Sequence, residues 1–228
     1  MSDTALAILA RYPELGQGKT RLAQGLGAEL TLELYRAFLR DLACRFMGWQ
    51  YDVIWAYTPV EKDFVSCVRL LIARPAAQVR TVPQRGPDLG ARLHNVFQET
   101  ARAGFAYTVL ISSDSPQVSR EIIERARRAL DDADVALGPA EDGGYYLIAM
   151  RDPHDVFSAI PMSTDVVLDM TIDKARQQGL RVQLLDTLFD IDTRSDLQRL
   201  ADLLRADATL APATAACLNE IDKRGFLS

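Results

Sequence analysis

A short polar turn after an apolar run is the first place in this sequence where chemistry is expected. Tyr107–Ile111 is apolar and ends in Ser112-Ser113-Asp114-Ser115-Pro116. Asp114 is therefore expected at the carboxyl end of a strand, where open α/β sheets gather their ligands. Among small neighbours its carboxylate can face a cleft, although Ser-Asp-Ser-Pro is also ordinary turn chemistry. Near the start, Gly16 and Gly18 lead into Lys19 and Arg21, a setting in which backbone N–H groups and cations hold phosphate. The plainer account of those cations is a solvated loop. Gly18-Lys19-Thr20 also completes the end of a P-loop, G-x-x-x-x-G-K-[ST]. Pro13 stands at that motif's first glycine, where it fixes φ and removes an N–H donor. Asp142 before Gly143 and Gly144, and the late pair Asp190 and Asp192, complete the set of residues that invite attention.

Those residues need a frame, and the hydrophobic pattern supplies one. Ala5–Ala10 reads as a buried strand. Leu30, Leu34, Phe38, Leu42 and Phe46 recur every fourth residue and predict one long core-facing helix. Further strands are expected at Tyr51–Tyr57, Val79–Val82, Tyr107–Ser112, Val135–Leu137, Tyr145–Met150 and Arg181–Leu185. Helices are expected at Leu89–Ala103, Glu121–Leu130, Asp165–Gln178 and Asp196–Leu204, with the Ala-rich Arg205–Pro212 loosely setting off a C-terminal helix. The alternation predicts an α/β layered fold with a mostly parallel sheet. With no repeat, low-complexity tract or clear linker, residues 1–228 read as a single domain.

Composition sets the outer bounds. At 228 residues, 48% hydrophobic and 25% charged, the chain resembles an ordinary soluble globular domain. A net charge of −5 argues against nonspecific nucleic-acid binding. Cys44, Cys67 and Cys217 are dispersed and lack metal-ligand spacing, which suggests buried thiols and no disulfide framework. His94 and His154 have no paired metal spacing either. The first residues lack a basic segment and a cleavage site, and no run reaches the length of a membrane span. A cytoplasmic location without membrane attachment is expected; the oligomeric state is left open.

Several segments together carry a resemblance. RYPELGQGKTRLAQGLG, PDLGARL, ISSDSP, LGPAEDGGYYLI and FDIDTRSDL occur in the order seen in radical-SAM/selenodomain-associated transferases. That group is glycosyltransferase-like and belongs to the nucleotide-diphospho-sugar transferase superfamily, with the GT-A fold. The resemblance, over roughly residues 4–200, implies a single-domain GT-A fold with a mostly parallel central sheet and helices on both faces. Lys-Thr-Arg-Leu at 19–22 with DIDT at 190–193 is also similar to 2-phospholactate guanylyltransferases. The G-x-G-x-R loop of sugar nucleotidylyltransferases is not clearly present, since Tyr12-Pro13-Glu14 occupies much of that space.

By resemblance, a nucleotide or nucleotide-sugar donor and a small acceptor are expected as ligands. Mg²⁺ or Mn²⁺ would neutralise the phosphates. Asp114 matches the first metal ligand; Asp192 is expected as the second, with Asp190 as the alternate. Thr193-x-x-Asp196 also resembles a capping box, so Asp192 has a structural reading and Asp196 reads as a cap. Lys19 and Arg21 are expected on the phosphates and in catalysis, with Arg11 beside them. Gln84, Gly86, Asp88, Gly90 and Arg92 are expected near the nucleotide, although a plain loop and helix cap account for the same pattern. Asp142 is expected to activate or orient the acceptor, with Gly143, Gly144 and Tyr145 lining its site; an acidic hairpin turn is the alternative. At Met162-Ser163-Thr164, relatives often carry tryptophan before the Ser/Thr, which bears on the acceptor pocket's shape.

Overall fold

A computed structural model describes residues 2–226. In chain order the elements are β1 (Thr4–Arg11), α1 (Thr20–Leu26), α2 (Ala28–Phe46), β2 (Asp52–Thr58), α3 (Phe64–Leu71), β3 (Arg80–Pro83), α4 (Leu89–Arg102) and β4 (Tyr107–Ser112). They continue with α5 (Arg120–Ala129), β5 (Val135–Pro139), β6 (Tyr145–Met150), α6 (Val167–Gln177), β7 (Val182–Leu184), α7 (Arg194–Ala206) and α8 (Pro212–Lys223). The strands form one sheet in the order β3-β2-β1-β4-β6-β5-β7. β1, β2, β3 and β4 run parallel, β6 is antiparallel to β4 and β5, and β7 is parallel to β5.

Two apolar layers explain why the central strands read as unbroken hydrophobic runs: both of their faces are covered. Leu6 and Ile8 of β1, Val109 and Ile111 of β4, and residues of α1, α2, α5, α7 and α8 form one layer. Ala7, Leu110 and Ile148 face the other, closed by Leu93, Val96 and Phe97 of α4 and by Ile172 and Ala175 of α6. This is the single-domain α/β arrangement, mostly parallel with helices on both faces, that the sequence resemblance implied. The chain builds outward from β1 through β2 to β3, then crosses to β4 on the opposite side. The order of strands therefore reverses between β1 and β4, and a crevice opens beyond their carboxyl ends.

Two helices were not expected. α1 is short and contains Gly25, with only Leu22 and Leu26 buried. α3 follows Asp63, whose side chain accepts a hydrogen bond from the Ser66 amide at 3.0 Å. α8 has no side-chain cap of its own. Buried Asp41 of α2 supplies one, accepting from the amides of Ala213 (2.8 Å) and Thr214 (2.7 Å) and from the Thr214 hydroxyl (2.6 Å). The expectation of buried thiols fails at Cys44, which is exposed on α2, while Cys67 is buried and Cys217 partly so. No described helix is long and apolar enough to cross a membrane.

Candidate active site

Lys19 is the centre of the crevice. It closes the loop after β1 in a left-handed conformation (φ 45°) and serves as the N-cap of α1. A non-glycine residue in that region is uncommon and strained. The conformation turns the side chain inward, leaving it 6% exposed. Its Nζ lies 3.0 Å from Asp114 Oδ1 and 3.6 Å from Asp192 Oδ1, and donates to the Ile191 carbonyl at 2.7 Å. Asp114 and Asp192, 78 positions apart in the sequence by their residue numbers, thus face one cation.

The segment after β4 holds the late aspartates in place. The Ser115 hydroxyl donates to Asp190 Oδ1 at 2.8 Å, and Gln117 Nε2 donates to the Phe189 carbonyl at 2.8 Å. On the other side, Leu188 is tied to the β5–β6 hairpin: its amide donates to Pro139 and its carbonyl accepts from Glu141, both at 3.0 Å. Thr193 and Asp196 form the expected capping box of α7. The cap falls to Asp196, and the Asp192 carboxylate is left for Lys19. Burial pushes the Asp190 carboxyl up to about 6; the Ser115 hydrogen bond opposes this, and Asp142, Asp114 and Asp192 add to it.

Two cavities meet at Asp114. The first, about 250 Å³, lies over the β1 end and is lined by Arg11, Gly18, Lys19, Gln84, Arg92 and Asp114 among others. Arg11 Nη1 donates to Gln17 Oε1 at 3.2 Å, and Arg92 Nε to the Gly86 carbonyl at 3.3 Å. Tyr35 of α2 secures this wall. Its hydroxyl accepts from the Arg11 amide (2.9 Å), donates to the Arg11 carbonyl (3.1 Å) and lies 3.1 Å from Ser113 Oγ. Sequence reasoning missed Tyr35, Ser113 and Ser115. The one available signal was a polar-tipped tyrosine beside the apolar stripe of α2.

The second cavity, about 240 Å³, lies under the β5–β6 hairpin. Asp114, Asp142, Asp190, Gly144, Tyr145 and Met162 are among its walls. Asp142 is exposed, and its Oδ1 accepts from the Gly144 amide at 2.9 Å, an Asx turn. Tyr145 and Tyr146 leave opposite faces of β6, as period 2 requires. Tyr146 packs in one core layer and Tyr145 against the other. Gly143 does not line the cavity. It has φ +87°, and a Cβ there would stand 2.0 Å from the Asp165 carbonyl oxygen, so glycine is required by backbone packing.

Other expected positions are also placed elsewhere. Arg21 is exposed on α1 and lines neither cavity. Asp88 caps α4, accepting from the Ala91 amide at 2.8 Å. Gly86 and Gly90 line neither cavity; Gly90 packs its α-carbon against the Phe157 carbonyl, where a Cβ would approach to 2.9 Å. Gln84 is buried and lines the first cavity, but its amide nitrogen is committed to the carbonyls of Ala56 (2.7 Å) and Ala10 (3.2 Å).

The donor set bears directly on a metal. Among the described residues, no group of three or more His, Cys, Asp or Glu side chains is disposed to hold an ion. Asp114 and Asp192, 40% and 43% exposed, instead share one positive charge, the Lys19 ammonium. Two half-exposed carboxylates do not make an all-protein cage, and any Mg²⁺ or Mn²⁺ held there would need phosphate oxygens and water to complete its oxygen shell.

The model of the family described as "uncharacterized protein conserved in bacteria", DUF2064, matches residues 50–164, just over half of the sequence. The chain belongs to the DUF2064 family. A structure from Desulfovibrio desulfuricans G20, provisionally assigned as a nucleotide-diphospho-sugar transferase, is 33% identical to this DUF2064 chain. That match covers 99% of both chains with a TM-score of 0.89. A cytidylyltransferase from Leptospira borgpetersenii superposes over 100% of this chain and 97% of its own, with a TM-score of 0.57 at 13% identity, a likeness of fold. A phosphoenolpyruvate guanylyltransferase from Chloroflexus aggregans is 28% identical over 136 residues, 58% of this chain and 64% of that protein's length.

Proposed function

We propose that this protein is a metal-dependent transferase that moves a glycosyl group from a nucleotide-diphosphate sugar to a small acceptor. One observation carries the reading: Lys19, in the wall of the first cavity, pairs with Asp114, which both cavities share, and with Asp192, which lines neither. The cavity over β1 would take the donor, with Lys19, Arg11 and Arg92 on its diphosphate. Arginine's planar fork suits phosphate oxygens, and the buried lysine supplies a compact charge. Mg²⁺ or Mn²⁺ held by Asp114 and Asp192, with Asp190 in reserve, would neutralise charge on the departing diphosphate. Asp142, on the acceptor side, would take the proton of the attacking hydroxyl at the carboxylate oxygen not engaged by Gly144. Gly144 and Tyr145 would shape the acceptor's berth. The resemblance to radical-SAM/selenodomain-associated transferases supports glycosyl transfer, and the relatives' names support a nucleotide-dependent transferase.

A second reading is nucleotidyl transfer, favoured by the guanylyltransferase relative and the Lys-Thr-Arg-Leu and DIDT segments. There an attacking phosphate would displace pyrophosphate at the same cations. The readings separate by product. Purified protein with Mn²⁺ is given nucleotide-sugars and, separately, nucleoside triphosphates. Nucleoside diphosphate released only with a glycosylated product supports the first reading. Pyrophosphate release replaces it with the second. Nucleotide binding without any product would make the protein a binder and refute both.

A further inference from the structure

The two cavities differ in charge as well as position. The cavity over β1 carries Arg11, Lys19 and Arg92 in its wall against the carboxylates of Glu14 and Asp114, and Glu14 is paired with Lys62. The cavity under the hairpin carries three carboxylates, those of Asp114, Asp142 and Asp190, and among the described residues no Lys, Arg or His lines it. Lys19 reaches Asp114 at 3.0 Å from the other cavity, and Arg199, beside the hairpin, is held bidentately by Glu141 at 2.7 and 2.8 Å. Lys174 of α6 is engaged by Ser158. Leu89, Leu93, Leu110 and Met162 give the same wall an apolar part, beside the hydroxyls of Ser112, Ser163 and Thr164.

We infer that the acceptor taken by this cavity is a small alcohol with an apolar face and no net negative charge, uncharged or ammonium-bearing. The inference rests on the transfer reading above and gives its acceptor a chemical class. A cation shared by Asp114 and Asp192 would offset charge at the donor's phosphates, but Asp142 and Asp190 stand on the far side of Asp114. A phosphorylated or carboxylic acceptor would bring its charge against them with no counter-charge in the wall, and like-charge juxtaposition at a closed interface is strongly disfavoured. An alcohol suits the same wall, since carboxylates accept its O–H and any ammonium beside it. The apolar side takes its carbon face.

The test uses the intact protein with Mn²⁺ and both donor classes, nucleotide-sugars and nucleoside triphosphates. Acceptors are supplied as matched pairs differing by one anionic group: hexoses and their 6-phosphates, glycerol and glycerol 3-phosphate, with phosphoenolpyruvate as the acid control. The uncharged member is expected to be used at least about tenfold more efficiently. Equal or better use of the anionic member with a nucleotide-sugar overturns the acceptor class while leaving glycosyl transfer intact, whereas its use with a nucleoside triphosphate, releasing pyrophosphate, overturns both. Asp142→Lys, at an exposed position, is read by binding rather than turnover, and its affinity ratio for each pair should move at least about tenfold toward the anionic member; an unchanged affinity ratio also overturns the inference. Absence of product from every donor refutes the transfer reading instead. Saturation-transfer NMR on the same pairs then decides the charge preference. Selective binding of the uncharged member upholds it; binding of the anionic member, or of neither, overturns it.

Discussion

The loop after β1 and the β5–β6 hairpin face each other across Asp114, yet they use backbone freedom and charge in opposite ways. On the loop side, positive φ at Gly16, Gly18 and Lys19 folds a cation inward. On the hairpin side, positive φ at Gly143 makes room for the Asp165 backbone, and the turn presents Asp142 to a cavity that Asp114 and Asp190 also line. One cavity thereby carries three cations in its wall and the other, among the described residues, none, and Asp114 is common to both. On the proposed reading, that difference would hold donor and acceptor apart by sign of charge.

The comparison is broken most severely by removing the cation. Lys19→Met keeps the aliphatic stem and is expected to lower turnover by about 10²–10³-fold with loss of nucleotide affinity, the range for a lost charge stabiliser. Calorimetric titration with nucleoside diphosphate in Mn²⁺ checks the binding half. Unaltered affinity would take Lys19 off the phosphates. Asp142→Asn acts on the other half and should lower kcat by about 10²-fold while KM for the donor stays within about twofold. A rise in donor KM of similar size would place Asp142 on the wrong side of the wall.

Smaller effects sharpen the boundary. Arg92→Ala should weaken nucleotide binding about tenfold, the loss of one charge-assisted contact. Arg21→Ala should change neither affinity nor turnover by more than about twofold, because its exposed side chain lines neither cavity. A tenfold loss there would show that α1 moves when the donor enters.

Much of the frame was legible because strong periodicity and clean boundaries coincide in it. β4 and β6 lie where their apolar runs predicted, and the five-residue stripe of α2 marked a helix that is buried along one face. α1 escaped because seven residues with an internal glycine carry little periodic signal. The site was legible in its parts rather than its grouping. Lys19 and Arg21 looked like partners by proximity in sequence, but the left-handed turn at Lys19 sends one inward while α1 carries the other outward. Thr193-x-x-Asp196 correctly named a cap, which separated Asp196 from Asp192. Ser115 and Gln117 were invisible, and Tyr35 barely marked, for a different reason. Each acts through a partner at least 24 positions away, and such hydrogen bonds exist only once the layers have packed.

Asp114 belongs to both halves of the crevice, so its substitution bears most directly on the account. Thermal stabilisation by nucleoside diphosphates and nucleotide-sugars is measured with and without Mn²⁺ for the native protein and Asp114→Asn. The native protein is expected to be stabilised in a Mn²⁺-dependent manner, and Asp114→Asn to lose that dependence while melting within a few degrees of the native protein alone. Equal Mn²⁺-dependent stabilisation in both proteins would contradict the account.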